Sequence, residues 1–328
     1  MSHASNASQS PSYKIIFHGN CIDGWFSAYI AHLALTRQGV TDIKMYPAAP
    51  TGAGLPSLKE MVNAHILLVD ISFDASVRAT WVGALSVNCI DHHATSADHW
   101  PAGTIHTECC AAMLTFRHFF PQQEVPYWLH IIDRVDRWDN PTYEDRCIRE
   151  VLTGIAHKPI HNKKNMAPVI AETTLWITTM DAEGGYQKMV LLGKPILDQK
   201  DAHLCQILTK GTFLTLGFEH AEQWHLPNTW LGANVYIIDN THITFDTTEA
   251  SHVVFLNYPG VDIFINYRQK TFLTKGEMET EKSVIVYSAR SRGFNVTEGT
   301  IFKGHPTAAG ASLVKGEVPV LPFLLTAV

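Results

Sequence analysis

Three short apolar runs in the first hundred residues each end directly in acidic or imidazole side chains. The runs and the residues that follow them are 13–17 with His18, 65–69 with Asp70, and 85–90 with Asp91, His92 and His93. Apolar runs of this length are typical of strands that are buried on both faces, as in a parallel sheet. Because parallel strands bring their carboxyl ends to one edge, we expect these side chains to meet there. The sequence therefore predicts an α/β fold with a polar site at one edge of the sheet.

More acids follow in segments with helical periodicity. Asp23 begins the segment after the first strand, and Asp133 and Asp136 stand one helical turn apart in the segment 127–138. Spacing of this kind lets both acids face one cleft. Taken alone, the Asp-His-His run would also fit two solvated histidines after an edge strand. Because acidic or imidazole residues also end the other two strands, a metal site is favoured. Carboxylates and imidazoles without thiolate clusters suit Mn²⁺ or a similar divalent ion better than structural zinc.

The order of these motifs resembles that of the DHH phosphoesterase superfamily. Near the C-terminus, the Ser-Ala-Arg-Ser segment 288–291 and the Gly-His-Pro-Thr-Ala-Ala-Gly segment 304–310 resemble the DHHA1 domain that accompanies it. The resemblance implies an N-terminal parallel-sheet DHH domain, a helical connector and a smaller C-terminal α/β DHHA1-like domain. These motifs together, in this order, make a chance match improbable, whereas each motif alone would be weak.

The pattern of predicted strands and helices along the chain agrees with two lobes. Strands and amphipathic helices alternate from 13 to 155, the pattern is helical from 166 to 209, and a β-rich set begins near 211. The Gly-Lys-Pro run 193–195 predicts a break before the last helix. We expect strands at 213–216, 233–238, 261–267 and 284–288, and a helix over 247–256 with Asp246 or Thr247 as its N-cap. The predicted divisions are a disordered leader (1–12), the DHH catalytic domain (13–194), a connector helix (195–210) and the DHHA1-like substrate-binding domain (211–328).

The resemblance also implies two divalent ions, Mn²⁺ first, with Mg²⁺, Zn²⁺ and Co²⁺ as alternatives. Asp70 is expected to bridge them because its strand is central among the three. The other ligands are expected to be His18, with Cys21 or water beside it, at one ion, and Asp23, His92 and Asp136 at the other. The sequence leaves open whether Asp133 or Asp136 is the ligand in the fourth motif.

Cys21 is a departure from the family pattern, because many members have a metal-binding acid at this point of the first motif, and Cys21 or Asn20 stands there instead. A thiolate is a softer ligand that shifts preference toward zinc or iron. The first metal site could instead be weakened, filled by water or absent, or Cys21 could be a small buried residue at a strand-to-helix turn.

The catalytic residues are expected to be Asp91, His92 and His93. Asp91 would orient the ring of His92 and raise its basicity, and His93 would face the substrate phosphate. In the C-terminal domain, backbone near glycine can approach a phosphate, and a guanidinium fork suits an anion. The predicted substrate-binding residues, besides His93, are Arg290, Ser291, Gly304 and His305.

Charge and cysteine usage restrict the substrate and the compartment. The 25 basic and 31 acidic residues give a net charge of −6, and no polybasic run appears. A protein that tracks long DNA or RNA would be expected to show a basic stripe, so a small phosphorylated substrate is favoured. The six cysteines show no CxxC spacing and the chain has no apolar stretch long enough to span a bilayer, which together predict a cytoplasmic protein. A homodimer is left open.

The predicted function is hydrolysis of phosphodiester or phosphomonoester bonds in short nucleotides, such as short oligoribonucleotides or dinucleotides, including cyclic dinucleotides. The DHHA1-like tail argues against a pyrophosphatase, and the lack of further nucleic-acid-binding domains argues against a processive exonuclease. The alternatives are a 3′-phosphoadenosine 5′-phosphate phosphatase, a catalytically weakened nucleotide sensor of the same fold, and a different metal hydrolase.

Overall fold

The computed structural model describes residues 12–161, 165–219, 228–243, 245–274, 280–296, 303–305 and 308–314. The chain separates into two compact units, Met1–Leu197 and Asp198–Val328. This division does not test the expected domain boundaries, which stay predictions. Among the described helices, none is both long enough and apolar enough to cross a membrane.

A four-stranded parallel sheet forms the first unit. Its strands are β1 (Ser12–His18), β2 (Asp42–Ala48), β3 (Ala64–Val69) and β4 (Ser86–Ile90). They are arranged in the order β2-β1-β3-β4. The chain therefore passes from β1 to one side and returns to β3 on the other side. In open parallel sheets such a switch point leaves a crevice at the carboxyl ends of the two strands.

The helices of this region pack on the two faces of the sheet or on one another. They are α1 (Ile22–Arg37), α2 (Leu58–Met61), α3 (Ala75–Ala79), α4 (Ala111–Phe119), α5 (Tyr127–Asp136), α6 (Tyr143–Ala156), α7 (Lys158–His161), α8 (Ala167–Asp181) and α9 (Gly185–Leu208). Ile15 and Phe17 of β1 pack into the cluster around α1, whereas Ile16 packs into the opposite cluster. Burial on alternate faces explains the consecutive apolar residues at 15–17 in β1 and at 66–69 in β3.

The predicted break at 193–195 is wrong, because α9 runs through these residues without interruption. A Cβ atom on Gly193 would lie 1.8 Å from the carbonyl oxygen of Cys147 in α6, so the glycine allows two helix backbones to approach closely. Pro195 has no backbone N–H group, so the carbonyl oxygen of Leu191, four residues earlier, lacks its usual hydrogen-bond donor in the helix. Leu191 lies on the exposed side of the helix, where water can replace that donor.

The second unit is built on a six-stranded sheet. Its strands are β5 (Thr212–Thr215), β6 (Asn234–Asp239), β7 (Ile263–Thr274), β8 (Thr280–Ser291), β9 (Lys303–His305) and β10 (Ala308–Val314). Their order is β5-β6-β7-β8-β10-β9, with β6 and β7 parallel and the other pairs antiparallel. The four predicted strands of this region are confirmed as β5 to β8, with bounds shifted by one to four residues except at the end of β7, which lies seven residues beyond the predicted end.

The helix predicted at 247–256 is also confirmed as α10 (Thr247–Asn257). Its N-cap is Asp246, whose carboxylate accepts hydrogen bonds from the backbone N–H groups of Thr248 and Glu249. α10 packs with the end of α9 against one face of the sheet, and a separate apolar cluster covers the other face. The mixed α/β class, with a parallel N-terminal sheet and a smaller second α/β unit, is confirmed.

Candidate metal centre

The polar side chains at the carboxyl edge of the first sheet come from five points of the chain. His18 ends β1, Asp70 follows β3, and residues 91–93 follow β4. Asp23 lies in the first turn of α1, and Asp136 ends α5. The strand ends meet at the switch point between β1 and β3. Parallel pairing in this order brings together residues that are far apart in the sequence.

Asp70 lies at the middle of this arrangement. Its carboxylate oxygens are 3.5 Å from Nδ1 of His18, 3.4 Å from Nε2 of His92 and 3.9 Å from Nδ1 of His93. Only 1% of the residue is exposed, and neither oxygen has a hydrogen-bond partner among the described residues. A buried carboxylate without partners is costly. A cation between Asp70 and its neighbours would supply the missing interaction.

The backbone of Asp70 adopts a left-handed conformation with φ of 56°, which is uncommon for a residue other than glycine. Its N–H group donates to the carbonyl oxygen of Ile90, which fixes the turn beside β4. Strained backbone of this kind clusters at functional sites because the surroundings must hold it in place. Burial alone would raise the pKa of Asp70, but the imidazoles of His18 and His92 outweigh it and hold the pKa below its usual range.

A second set of ligand atoms surrounds His92. Its Nε2 lies 3.6 Å from a carboxylate oxygen of Asp23 and 3.5 Å from one of Asp136. Asp23 is fixed at the N-terminus of α4, where it accepts hydrogen bonds of 2.8 Å and 2.7 Å from the backbone N–H groups of Ala111 and Ala112. These amides and the positive end of the helix orient the carboxylate toward His92.

The electrostatics of this second set favour a cation. Burial and repulsion from Asp70 and Asp136 raise the pKa of Asp23 well above its usual range. Burial and repulsion from Asp70 raise the pKa of Asp136 to about 6. Burial lowers the pKa of His92, but the surrounding carboxylates outweigh it and raise that pKa to about 10. Without a metal ion, bound protons balance the clustered negative charge, and a divalent cation would displace them.

Cys21 belongs to a third set with His18 and Asp70, in which one ligand atom from each residue lies within 4.8 Å of the others. It is the N-cap residue of α1, yet its side chain makes no capping hydrogen bond. The preceding Asn20 has φ of 66°, so a left-handed residue turns the chain between β1 and the helix. Gly24 completes this turn, because a Cβ atom there would lie 2.2 Å from the carbonyl oxygen of His18.

The described residues thus form three groups with the geometry of metal ligands. The groups are His18 with Cys21 and Asp70, Asp70 with His92 and His93, and Asp23 with His92 and Asp136. Asp70 is shared by two groups and so is His92. Carboxylate oxygens and imidazole nitrogens suit divalent ions such as Mn²⁺, with one sulfur as the exception. The donor set therefore fits two neighbouring ions, while the assignment of each ligand stays a prediction.

The expectation that Asp91 orients the ring of His92 is wrong. One oxygen of Asp91 is 2.7 Å from Nδ1 of His93 and also accepts from the backbone N–H groups of His92 and His93. In extended backbone, side chains two residues apart lie on the same side, whereas neighbours point to opposite sides. Asp91 therefore pairs with His93, and the ring of His92 is left to face Asp23 and Asp136.

Of the two acids in the fourth motif, the structure brings only Asp136 into these groups. Asp133 accepts a hydrogen bond of 2.6 Å from the backbone N–H group of Cys110 and lies 3.0 Å from Nε of Arg137. It therefore caps the beginning of α4. A separation of three residues turns the side chain by about 60° around a helix, and this difference directs the two carboxylates to different partners.

The residues predicted to bind substrate lie in the second unit. Arg290 of β8 donates to the carbonyl oxygen of Ala289 and to Oγ1 of Thr248, and burial lowers its pKa. Ser291 donates its hydroxyl hydrogen to the carbonyl oxygen of Phe294. The remaining two residues lie in β9, where Gly304 pairs with β10, and the side chain of His305 lies outside the described residues. Their role in binding stays a prediction.

Sequence reasoning missed the amides of Ala111 and Ala112 that hold Asp23. Backbone N–H groups carry no residue signature, and the only signal available was the start of an apolar helical pattern after 108.

Sequence reasoning also missed β2, which contains charged residues and Pro47 and lies at the edge of the sheet. Edge strands tolerate proline because one side of their backbone is unpaired.

No family model and no curated protein matches this chain. Among solved structures, the pGpG-specific phosphodiesterase PggH from Vibrio cholerae matches 93% of this chain and 94% of its own, at 13% identity and a TM-score of 0.48. An exopolyphosphatase-related protein from Bacteroides fragilis matches 93% of this chain and 87% of its own, at 14% identity and a TM-score of 0.45. The exonuclease RecJ bound to manganese matches 93% of this chain and 86% of its own, at 14% identity and a TM-score of 0.43.

At these identities and TM-scores, the solved structures indicate no substrate for this chain. Its chemistry has to be inferred from its own residues.

Proposed function

We propose that the chain is a metal-dependent phosphoesterase that hydrolyses phosphodiester or phosphomonoester bonds in short nucleotides. The observation that carries this proposal is the buried carboxylate of Asp70, which has no hydrogen-bond partner among the described residues and lies between two sets of ligand atoms. Asp70 belongs to the set with His18 and Cys21, and its carboxylate lies 3.4 Å from Nε2 of His92, which belongs to the other set. A carboxylate in this position could serve two neighbouring divalent ions. The elevated pKa values of Asp23 and Asp136 support the same conclusion, because clustered acids need a cation to ionise together.

His18, Cys21 and Asp70 would hold one ion, and the second set with Asp23, His92 and Asp136 would hold the other. When bound, such ions supply a nucleophilic water at neutral pH and neutralise charge on the transferring phosphoryl group. The protein keeps these ligands in place through rigid strand ends and through the helix terminus that binds Asp23. Precise support of this kind is what a catalytic metal site needs.

His93 would act directly on the substrate. Its Nδ1 is occupied by Asp91, so Nε2 is the nitrogen left for a phosphate or leaving-group oxygen. The side chain is 38% exposed, which leaves it accessible to a substrate. A carboxylate on the far nitrogen fixes the tautomer and stabilises the protonated ring. Asp91 is therefore a positioning residue for His93 in this proposal.

Metal analysis together with hydrolysis of bis-p-nitrophenyl phosphate tests the proposal. Asp70→Ala and His92→Ala should each lower metal content and reduce metal-dependent turnover by about 100-fold or more while the protein stays folded. His130→Ala is the matched control, since His130 is exposed on α5 outside the ligand groups. Wild-type turnover and metal content in either site variant would disprove the site. Binding of metal and nucleotide without any hydrolysis would favour a sensor instead.

The second unit is proposed to bind the nucleotide part of the substrate. Arg290→Ala and His305→Ala should weaken turnover of dinucleotides strongly and leave bound metal unchanged. The loss should be small for bis-p-nitrophenyl phosphate, which offers no second phosphate or ribose. Arg292→Ala is the matched control, because its guanidinium lies over the ring of Phe255 and outside the motif. Equal losses on both substrates would contradict a role limited to binding.

A panel of di- to pentaribonucleotides, cyclic dinucleotides and bisphosphorylated nucleosides would then identify the substrate. Net negative charge without a polybasic run favours the shorter members of this panel. Preference for the bisphosphorylated nucleoside would favour the phosphatase alternative.

A further inference from the structure

The two sets of metal ligands differ in one donor. Cys21 contributes a sulfur atom to the group with His18 and Asp70, whereas Asp23, His92 and Asp136 offer only oxygen and nitrogen. We infer that the metal centre is chemically asymmetric, with Cys21 as a thiolate ligand that makes its subsite select a borderline or soft ion such as Zn²⁺ or Co²⁺. The other subsite would accept a hard ion such as Mn²⁺. This inference rests on the proposed metal-dependent function.

The position of Cys21 supports a ligand role rather than a packing role. Cys110 offers a comparison within the same unit, because both cysteines are N-cap residues that precede a helix. Cys110 is completely buried and belongs to the apolar cluster around α1. Cys21 is only partly buried and belongs to none of the apolar clusters of the described residues. Its sulfur lies instead among His18 and Asp70.

A second observation points independently to a ligand at this place. Asp70 is 1% exposed and both of its oxygens lack a hydrogen-bond partner within the described part of the chain. An ion that contacts Asp70 from the side of His18 would lie within reach of the sulfur, since the three ligand atoms are within 4.8 Å of one another. The same ion would satisfy the buried carboxylate. The thiol and the unpartnered carboxylate therefore share one explanation.

The chemistry of the thiol agrees with this geometry. A divalent ion bound at this place would deprotonate a coordinating thiol outright. Sulfur then favours zinc, cobalt or iron over manganese or magnesium, which prefer oxygen ligands.

Reconstitution of the full-length metal-free protein with Co²⁺ tests the inference without relying on activity. A thiolate bound to cobalt gives a near-ultraviolet charge-transfer band that oxygen and nitrogen ligands do not give. We expect the band in the wild type and in Cys205→Ser, because Cys205 is exposed and lies in the second unit. We expect it to be absent in Cys21→Ser and in Cys21→Asp, although Cys21→Asp should still bind two cobalt ions.

Metal competition gives a second readout. Cys21→Asp replaces the soft donor with a hard one, so the preference for Zn²⁺ over Mn²⁺ should fall by about tenfold or more. Metal content after equilibration with both ions, measured for the wild type, Cys21→Asp and Cys205→Ser, gives this ratio. An unchanged ratio in Cys21→Asp would overturn the inference.

The outcomes separate this inference from the proposed function. Two bound cobalt ions and phosphodiester hydrolysis without a charge-transfer band would show that Cys21 is not a ligand, and the proposed phosphoesterase would stand. If the protein bound none of Co²⁺, Zn²⁺ and Mn²⁺, both the inference and the proposed function would be overturned. A band that persists in Cys21→Ser would place the thiolate on another cysteine and would also overturn the inference.

Discussion

Gly24→Ala should damage both the stability and the metal centre of the first unit. The new Cβ atom would lie 2.2 Å from the carbonyl oxygen and 3.0 Å from Cβ of His18. An ordinary contact requires the two backbones to separate by more than about 1 Å. His18 cannot move freely, because β1 is paired with β2 on one side and with β3 on the other. α1 must therefore shift, and Asp23 shifts with it.

Overpacking against backbone of this kind costs about 3 kcal/mol. For a unit of this size that corresponds to a fall of roughly 6–12 °C in the melting temperature. The site should suffer as well, because metal ligands must be held within about 0.5 Å of their places. We expect metal affinity to fall by about tenfold or more. Thermal denaturation followed by circular dichroism, together with isothermal titration with Mn²⁺, measures the two effects.

Two other glycines serve as controls. Gly193→Ala would place its Cβ atom 1.8 Å from the carbonyl oxygen of Cys147, so it should destabilise the packing of α6 against α9. It should leave Mn²⁺ affinity unchanged in the protein that remains folded, because Gly193 lies outside the ligand groups. Gly154→Ala meets no atom within 4 Å in α6 and should stabilise the protein by about 0.5–1 kcal/mol. Wild-type stability and wild-type Mn²⁺ affinity in Gly24→Ala would refute the reasoning.

Three further predictions concern charged groups. Asp136→Asn should abolish binding of one metal ion, which metal analysis measures. Asp133→Asn should retain both ions and lower the free energy of unfolding by about 1 kcal/mol, because it weakens the cap at the start of α4; urea denaturation measures this loss. Metal affinity should fall with pH already below pH 10, because the ion must displace the proton of His92 (pKa about 10), and should fall more steeply below pH 6, where Asp136 (pKa about 6) also holds a proton. A calorimetric titration that shows no steeper fall below pH 6 would contradict Asp136 as a ligand. Arg134→Met should cost about 2 kcal/mol at neutral pH, since it breaks a bidentate pair with buried Asp145. Burial alone would raise the pKa of Asp145, but Arg134 outweighs it and lowers the pKa. The stability that the ion pair contributes is therefore present above about pH 4 and is lost as pH falls further. If Arg134→Met were still less stable than the wild type in acid, the ion pair would not be the cause.

Three of the four strands of the N-terminal sheet could be predicted from the sequence because they carry a strong local signal, which the edge strand β2 lacks. Strands buried on both faces of a parallel sheet are mostly apolar, and the side chain after each strand lies at the carboxyl edge. These two rules are sufficient to place His18, Asp70 and His92 at one edge of the sheet. The N-cap of α10 was predictable for a similar reason, since Asp246 acts on amides two and three residues away.

Other features depend on groups that are distant in the sequence. Asp136, and not Asp133, joins the ligand groups because the backbone N–H group of Cys110, just before α4, binds the carboxylate of Asp133. The pairing of Asp91 with His93 depends on the direction of extended backbone after β4, and the uninterrupted α9 depends on Gly193 meeting the backbone of α6. Sequence by itself determined which residue types reach the edge of the sheet. Only the tertiary structure decided which of them face one another, because each partner comes from a different element and pairing depends on ångström-scale distances that no local pattern encodes.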